Sequence, residues 1–98
     1  MLSKDTLISV VSGPVAASLG DELALLDVAS GRYYAFNPLG TRLWQWMQTP
    51  TRFGALLERI QAEYEVEETT CAQDLTVWLE QLRSRGLVEL RRPDARGA

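Results

Sequence analysis

The segment GRYYAFNPLG, residues 31–40, restricts the fold of this chain more than any other stretch. Gly31 suits the left-handed position of a three- to four-residue hairpin loop, and tyrosine and phenylalanine fit the half-buried pleat of a strand. Asn37 is a strong helix N-cap, and Pro38 is favoured at the first helical position. The segment therefore predicts a returning hairpin strand over Arg32–Phe36 followed at once by a helix, which requires an α+β fold.

The other elements follow from hydrophobic periodicity and from turn residues. Short apolar runs bounded by glycine or proline predict strands, and apolar residues spaced three and four apart predict amphipathic helices. The sequence leaves two possible starts for the last helix. A capping box would begin it at Thr70, and the alternative start lies two residues earlier. The predicted strands are Leu7–Val11, Glu22–Val28, Arg32–Phe36 and Leu87–Leu90, and the predicted helices are Pro38–Gln48, Arg52–Tyr64 and Thr70–Arg85.

This order of elements, a strand, a hairpin, three helices and a closing strand, is typical of a winged-helix-like α+β domain. We expect a three-stranded antiparallel sheet packed on three helices. A chain of 98 residues suits one domain over residues 1–98 with one modest core. We place that core at about residues 7–91 and expect flexible termini over residues 1–6 and 92–98.

Composition argues against catalysis and against nucleic-acid binding. The chain has no histidine, which is the commonest general base and a usual zinc ligand. Its formal net charge is −3, the wrong sign for a protein that neutralises phosphates. No glycine-rich phosphate loop is present. We therefore expect no enzyme activity, no metal, no cofactor and no nucleic-acid partner.

The sequence also favours a cytoplasmic protein without a membrane partner. No apolar run approaches the roughly 20 residues that span a bilayer. The weakly apolar N-terminal stretch is interrupted by Gly13-Pro14, unlike a signal peptide. Cys71 is the single cysteine, so no internal disulfide can form, which suits a reducing compartment.

The aromatic strand is the first candidate binding element. Side chains alternate along a strand, so Tyr34 and Phe36 share one face while Tyr33 and Ala35 share the other. We expect Phe36 in the core and one tyrosine partly exposed. Because the strand leads directly into a helix, it is a candidate sheet edge. An aromatic edge that only Arg32 protects is suited to completion by a peptide strand.

The third predicted helix supplies the second candidate. Asp74, Trp78, Gln81 and Arg85 recur at offsets of 0, 4, 7 and 11, which places them on one face beside a leucine stripe. Trp78 is either part of the core rim or a peptide anchor, since Trp, Tyr and Arg dominate interface hot spots. If this helix packs along the aromatic strand, the groove between them has an apolar floor and mixed charge at its rim.

Three further features have ordinary structural interpretations. The acidic run over residues 63–68 lacks the ligand spacing of an EF-hand and is predicted to be a solvated loop. Cys71 has no histidine nearby and carboxylates upstream, so we expect a buried, unreactive thiol with a normal or raised pKa. Trp44 and Trp46 are two residues apart on a helix and cannot share a face; the sequence leaves open which one is buried.

Two longer segments, LLDVASGRYYAFNPLGTRLW (residues 25–44) and DLTVWLEQLRSRGLVEL (residues 74–90), resemble the PqqD-like family. These are the recognition elements of ribosomally made, modified peptide natural products. The resemblance covers about residues 20–90 and is strongest to stand-alone members from lasso-peptide clusters. It implies a non-catalytic domain that binds the leader segment of a precursor peptide and works with a leader peptidase or other modifying enzyme.

The resemblance also implies where the leader binds. In the family, the leader adds as a further strand to the sheet edge and lies in the groove beside the third helix. Phe36, where leucine is commoner, and Trp46, where a smaller aliphatic residue is usual, are departures that we expect to alter leader preference. The matching positions are Arg32, Tyr33, Tyr34, Ala35 and Phe36 on the strand, and Asp74, Leu75, Trp78, Gln81, Leu82 and Arg85 on the helix.

Three alternatives remain open from the sequence. Members of the family that serve pyrroloquinoline quinone synthesis present their peptide to a radical SAM enzyme instead of a peptidase. A winged-helix DNA-binding regulator would use the third helix for recognition, but there Asp74 and Glu80 oppose Arg83 and Arg85, leaving it close to neutral. An exposed edge strand also allows a homodimer through that edge.

Overall fold

The computed structural model describes residues 2–92, which form three helices and six antiparallel strands. The strands form two three-stranded sheets, in the orders β5-β1-β6 and β2-β3-β4. No helix in this range is long and apolar enough to cross a membrane. The elements are β1 (Leu7–Val10), β2 (Val15–Leu19), β3 (Glu22–Asp27), β4 (Arg32–Phe36), α1 (Pro38–Trp46), β5 (Thr51–Arg52), α2 (Phe53–Glu63), α3 (Glu68–Ser84) and β6 (Val88–Arg91).

The α+β class, the three helices and the antiparallel strands are as predicted, but the structure adds two strands. β2 was missed because its sequence, VAASL, has little β preference. The signal that would have found it is Gly20-Asp21, a two-residue loop between the paired residues Leu19 and Glu22. Gly20 has a φ of 66°, which glycine adopts without strain. β5 is a two-residue strand that pairs with β1. The strands form two sheets where the sequence predicted a single one.

The junction between β4 and α1 forms as the sequence predicts. The N–H of Gly40 donates to Oδ1 of Asn37 at 2.7 Å, and the N–H of Thr41 donates to the Asn37 carbonyl at 2.8 Å. Proline occupies the first turn of the helix, where its missing N–H would have no partner. The direction of α1 is thereby fixed relative to the strand that precedes it.

The first turn of α3 decides between the two starts that the sequence left open, in favour of the earlier one. Oε1 of Glu67 accepts hydrogen bonds from the N–H of Thr70 at 3.2 Å and from its Oγ1 at 2.7 Å. Glu67 is therefore the N-cap, and the helix begins at Glu68, two residues before Thr70. A glutamate replaces the serine or threonine usual at this position because its longer side chain reaches the same N–H.

The last turn of α3 ends in a Schellman motif that redirects the chain into β6. The N–H of Leu87 donates to the Leu82 carbonyl at 2.9 Å, and the N–H of Gly86 donates to the Arg83 carbonyl at 3.0 Å. Gly86 has a φ of 76°, in the left-handed region. The turn allows Val88 to pair with Val10, which closes the first sheet.

All three helices and both sheets contribute to one hydrophobic core. Trp44 is buried, whereas Trp46 is half-buried under the guanidinium groups of Arg42 and Arg59, at 5.2 Å and 4.3 Å from its ring centre. This answers which of the two tryptophans is buried. The fully buried large side chains are Ile8, Leu25, Met47, Phe53, Leu56, Leu79 and Leu87.

Residues 2–6, which the sequence places in a flexible terminus, are hydrogen-bonded to the start of α2. The N–H groups of Phe53 and Gly54 donate to the carbonyls of Thr6 at 2.8 Å and Lys4 at 2.9 Å. These are the first N–H groups of α2, and Arg52 at its N-cap offers them no side-chain acceptor. The N-terminal segment thus satisfies donors that the sequence of α2 leaves free. At the other end, residues 93–98 lie outside the described range.

We predict that Gly86→Ala lowers the free energy of unfolding by about 1 kcal/mol, because an L side chain is strained at this φ. A Cβ added at Gly86 meets no atom within 4 Å, so the cost comes from the backbone alone. Urea denaturation of both proteins measures it. Gly86→Asn is the matched control and should lose less, since asparagine tolerates the left-handed region better. Equal losses in the two variants would contradict the assignment.

Candidate peptide-binding groove

β4 is the edge of its sheet, as the sequence predicts. Among residues 2–92 it pairs with β3 alone, with Tyr34 opposite Leu25 and Phe36 opposite Leu23. The four-residue loop between Asp27 and Arg32 is held by the N–H of Gly31, which donates to the Asp27 carbonyl at 2.7 Å. The side of β4 that faces away from β3 therefore carries backbone N–H and C=O groups with which no strand of residues 2–92 pairs, and another strand can pair there.

A groove of about 460 Å³ runs between this edge and α3. It brings together all five predicted strand positions and four of the six predicted helix positions. Asp74 and Leu75 lie elsewhere. The lining residues are Arg32, Tyr33, Tyr34, Ala35, Phe36, Trp78, Gln81, Leu82 and Arg85.

The floor of the groove is aromatic and continuous with the core. Phe36 and Leu82 are buried, and the ring of Phe36 lies 5.9 Å from that of Trp78 in a near-perpendicular arrangement. On its other side Phe36 lies 5.5 Å from Trp44. Trp78 is half-buried, so it packs against the core and also presents a surface to the groove. Tyr33 is 62% exposed, which accounts for the tyrosine expected at the surface.

The rim of the groove carries positive charge. Arg32 and Arg85 line it, and the guanidinium of Arg85 lies 5.4 Å from the centre of the Tyr34 ring. No acidic residue is among the lining residues, because Asp74 sits further along α3. The lining of this groove is therefore cationic, whereas Asp74 lines an adjoining cavity that Trp78 also borders, so the charges expected at one rim are divided between two cavities along α3.

Asp74 and Leu75 line a second, adjoining cavity of about 280 Å³. Trp78 borders both cavities, so they follow each other along α3. Sequence reasoning named Asp74, Leu75 and Trp78 but missed Leu39, in the first turn of α1, and Val66, which lies in a polar connection without any periodic signal. The lining residues are Asn37, Leu39, Gly40, Leu43, Ile60, Val66, Cys71, Asp74, Leu75 and Trp78.

The acidic run has structural partners. Glu63 forms an ion pair with Arg42, Glu67 caps α3, and Glu68 lies 3.2 Å from Nζ of Lys4. No group of three histidine, cysteine, aspartate or glutamate side chains within residues 2–92 is placed to hold a metal ion. These carboxylates therefore join the helices to each other and to the N-terminal segment.

An open edge strand beside an aromatic groove is the arrangement by which one class of proteins binds extended peptides as an added strand. The profile of the family "Coenzyme PQQ synthesis protein D (PqqD)" matches residues 22–88, so the chain belongs to the PqqD family. The chain matches no curated protein sequence.

Two solved structures share the fold. One is described as "TbiB1 in Complex with the TbiA(beta) Leader Peptide"; it is 30% identical, with a TM-score of 0.77 over 83% of this chain and 94% of that one. The other, "Lasso peptide synthetase B1 complexed with the leader peptide", is 22% identical, with a TM-score of 0.75 over 84% of this chain and 96% of that one. The PqqD-like resemblance of the sequence is thereby confirmed.

We predict that Cys71 reacts slowly with iodoacetamide at pH 8. Burial raises the pKa of its thiol, and the carboxylate of Asp74 adds to this, so the thiolate fraction is below that of an ordinary cysteine. The labelling rate of the folded protein, measured by mass spectrometry, should be at least about tenfold below that of the urea-unfolded chain. Because the pKa is raised, the rate should still climb above pH 9. Equal rates in both states would contradict this placement.

Proposed function

We propose that this chain is a non-catalytic recognition domain that binds the leader segment of a ribosomally made precursor peptide and delivers it to a processing enzyme. The single observation that carries the proposal is the open edge of β4 beside a groove floored by Phe36, Trp78 and Leu82. The fold shared with leader-bound TbiB1 supports it.

The proposed binding mode is strand addition to β4. Backbone hydrogen bonds along β4 supply affinity for any extended peptide, and side-chain pockets supply selectivity. Every second leader residue then points towards the core side of the sheet, where Phe36, Trp78 and Leu82 offer apolar contact. We assign leader contacts to the strand positions and to Trp78, Gln81, Leu82 and Arg85. We assign Asp74 and Leu75 to contacts with a leader residue that lies further along α3, in the adjoining cavity.

The charges of the groove define the chemistry of the leader. Arg85 and Arg32 attract a carboxylate at the hairpin end of β4, while Phe36 and Trp78 favour an apolar residue at the end where α1 begins. We propose a leader segment with acidic and apolar residues in that arrangement. Its affinity is moderate, because a disordered leader loses conformational entropy on binding.

The partner enzyme we propose is a leader peptidase of the lasso-peptide type, in a reducing cytoplasm. The PqqD-type alternative, delivery to a radical SAM enzyme, uses the same groove. The binding unit is a single domain over residues 1–98, with its core at about residues 7–91. A homodimer through the edge of β4 would occupy the backbone ladder that the leader needs, so leader binding and that dimer exclude each other.

We predict that Trp78→Ala weakens leader binding at least about tenfold, because the variant loses the aromatic wall shared by both cavities. Fluorescence anisotropy of a labelled synthetic leader, taken from the precursor encoded beside this protein, measures the affinity. Trp46→Ala is the matched control: it also truncates a half-buried tryptophan, but one that lines neither cavity, which argues against the effect on leader preference that the family resemblance led us to expect at this position. Its leader affinity should stay within about twofold of wild type.

Circular dichroism must show that both variants are folded. Unchanged affinity in folded Trp78→Ala would rule out the groove as the leader site. Absence of any leader binding by the wild type, together with salt-sensitive binding to duplex DNA, would replace the proposal by the winged-helix regulator.

We predict that Arg85→Gln weakens leader binding at low ionic strength by about two- to fivefold, because an exposed charge pair contributes at most about 1 kcal/mol. In 1 M salt the variant and the wild type should converge, since screening removes the contribution of the charge. The wild type itself should keep most of its affinity in high salt, because the floor of the groove is apolar. Anisotropy titrations at 50 mM and 1 M NaCl test this. A difference that persists at 1 M would contradict an electrostatic role.

A further inference from the structure

The β2-β3-β4 sheet has a second open edge, at β2. Among residues 2–92 this strand pairs with β3 alone, in a register that runs from Val15 opposite Leu26 to Leu19 opposite Glu22. All five residues of β2 are exposed. The proposed leader binding uses β4, on the other side of the sheet, so it assigns no role to the edge at β2.

The edge at β2 lacks the features that protect the other edges. Native edge strands avoid pairing with another chain by means of charged side chains, proline or bulges. β4 carries Arg32, and β6, an edge of the first sheet, carries Glu89 and Arg91. β2 has the sequence VAASL, with no charge and no proline, and its register with β3 is uninterrupted. It is therefore the edge most open to pairing with a further strand.

The loop formed by Gly20 and Asp21 determines which backbone groups of β2 point to this edge. Residues that flank a two-residue hairpin loop form a hydrogen-bonded pair, and such pairs alternate along an antiparallel ladder with pairs that are not hydrogen-bonded. Every second residue of β2, counted back from Leu19, therefore directs its backbone groups to β3. The N–H and C=O groups of Ala16 and Ser18 point away from β3, and no strand of residues 2–92 pairs with them.

The order of side chains in β2 is complementary to itself in the antiparallel direction. With a twofold axis through Ala17, Ala16 of one copy lies opposite Ser18 of the other, and each N–H of this pair donates to the carbonyl opposite. The same register places Val15 opposite Leu19, so a large apolar pair lies at each end and only small side chains lie between them. The paired strands bring no like charges together. The edge at β2 thus fits a second copy of this chain.

The length of β2 limits the strength of this association. Five residues that rise about 3.3 Å each form a contact roughly 17 Å long, in a sheet about 10 Å thick. Two such edges bury on the order of a few hundred Å² on each copy, below the roughly 1,200 Å² in total that stable complexes bury. The dimer is therefore weak, and it is populated only at high protein concentration.

We propose that two copies of this chain associate through β2 and form one continuous sheet in the order β4-β3-β2-β2-β3-β4. The two β4 strands then lie at the outer edges, roughly 24 Å apart, since neighbouring strands are about 4.8 Å apart. Both grooves stay open, in contrast to a dimer through β4. The self-association does not depend on leader binding, and the dimer has room for an extended peptide at each outer edge.

Sedimentation equilibrium at about 20 μM and about 500 μM protein tests the proposal, and we expect dimer only at the higher concentration. Ala17→Lys and Ala17→Glu should each abolish the dimer, because like charges then lie directly opposite across the twofold axis. An equimolar mixture of the two variants should dimerise again, since lysine then lies opposite glutamate. Leu26→Lys is the matched control: it adds a charge to β3 at a 42% exposed position away from the edge, and it should dimerise as the wild type does.

Circular dichroism must show that each variant is folded. A wild type that stays monomeric at about 500 μM, or a mixture of the two Ala17 variants that does not dimerise, would overturn the proposal. A dimer that Leu26→Lys dissociates would place the contact on the sheet faces instead, and a dimer that saturating leader dissociates would place it at β4; either result also overturns the proposal.

Leader anisotropy separates this inference from the proposed function. Ala17→Lys should bind leader as tightly as the wild type, because Ala17 lines neither cavity along α3. A wild type that binds no leader would refute the proposed function and leave the sedimentation test of the dimer unaffected.

Discussion

The packing of Phe36 between Trp44 and Trp78 is the contact on which the rest of the structure depends. It joins the last residue of β4 to α1 on one side and to α3 on the other, with ring centres 5.5 Å and 5.9 Å apart. Without it the second sheet would be attached to the helices mainly through Leu23 and Leu25. The same contact sets the distance between β4 and α3, and so determines the width of the groove. The core and the groove therefore share one side chain, so a change at Phe36 alters both.

Local signals were sufficient for most of the fold. Asn37 and Pro38 begin α1, Gly86 ends α3, and Gly31 closes the hairpin, each because one residue type meets a backbone requirement that few others meet. The buried stripes of α2 and α3 follow from spacing alone. β2 was missed because it gains its stability from pairing with β3 and not from its own side chains, all of which are exposed. Strand preference is weak evidence when pairing supplies the stability.

The groove was predictable in membership but not in shape. Periodicity places Trp78, Gln81 and Arg85 on one face of α3, and alternation places Tyr34 and Phe36 on one face of β4. The sequence does not indicate which part of α3 packs against the end of β4. In the structure Arg85 lines the groove together with Arg32, whereas Asp74 lines the second cavity. The charge that lines a groove depends on the tertiary arrangement, even where periodicity places each residue on the expected helix face.

The two faces of β4 present different surfaces to a strand added at its edge. The side chains of such a strand alternate, so half of them meet the groove and half lie beside Tyr33 and Ala35 on the opposite face of the sheet. Under the proposed leader binding, only the first half contacts Phe36 and Trp78. Substitutions in the leader should accordingly separate with a period of two into those that weaken binding to this domain and those that leave it unchanged.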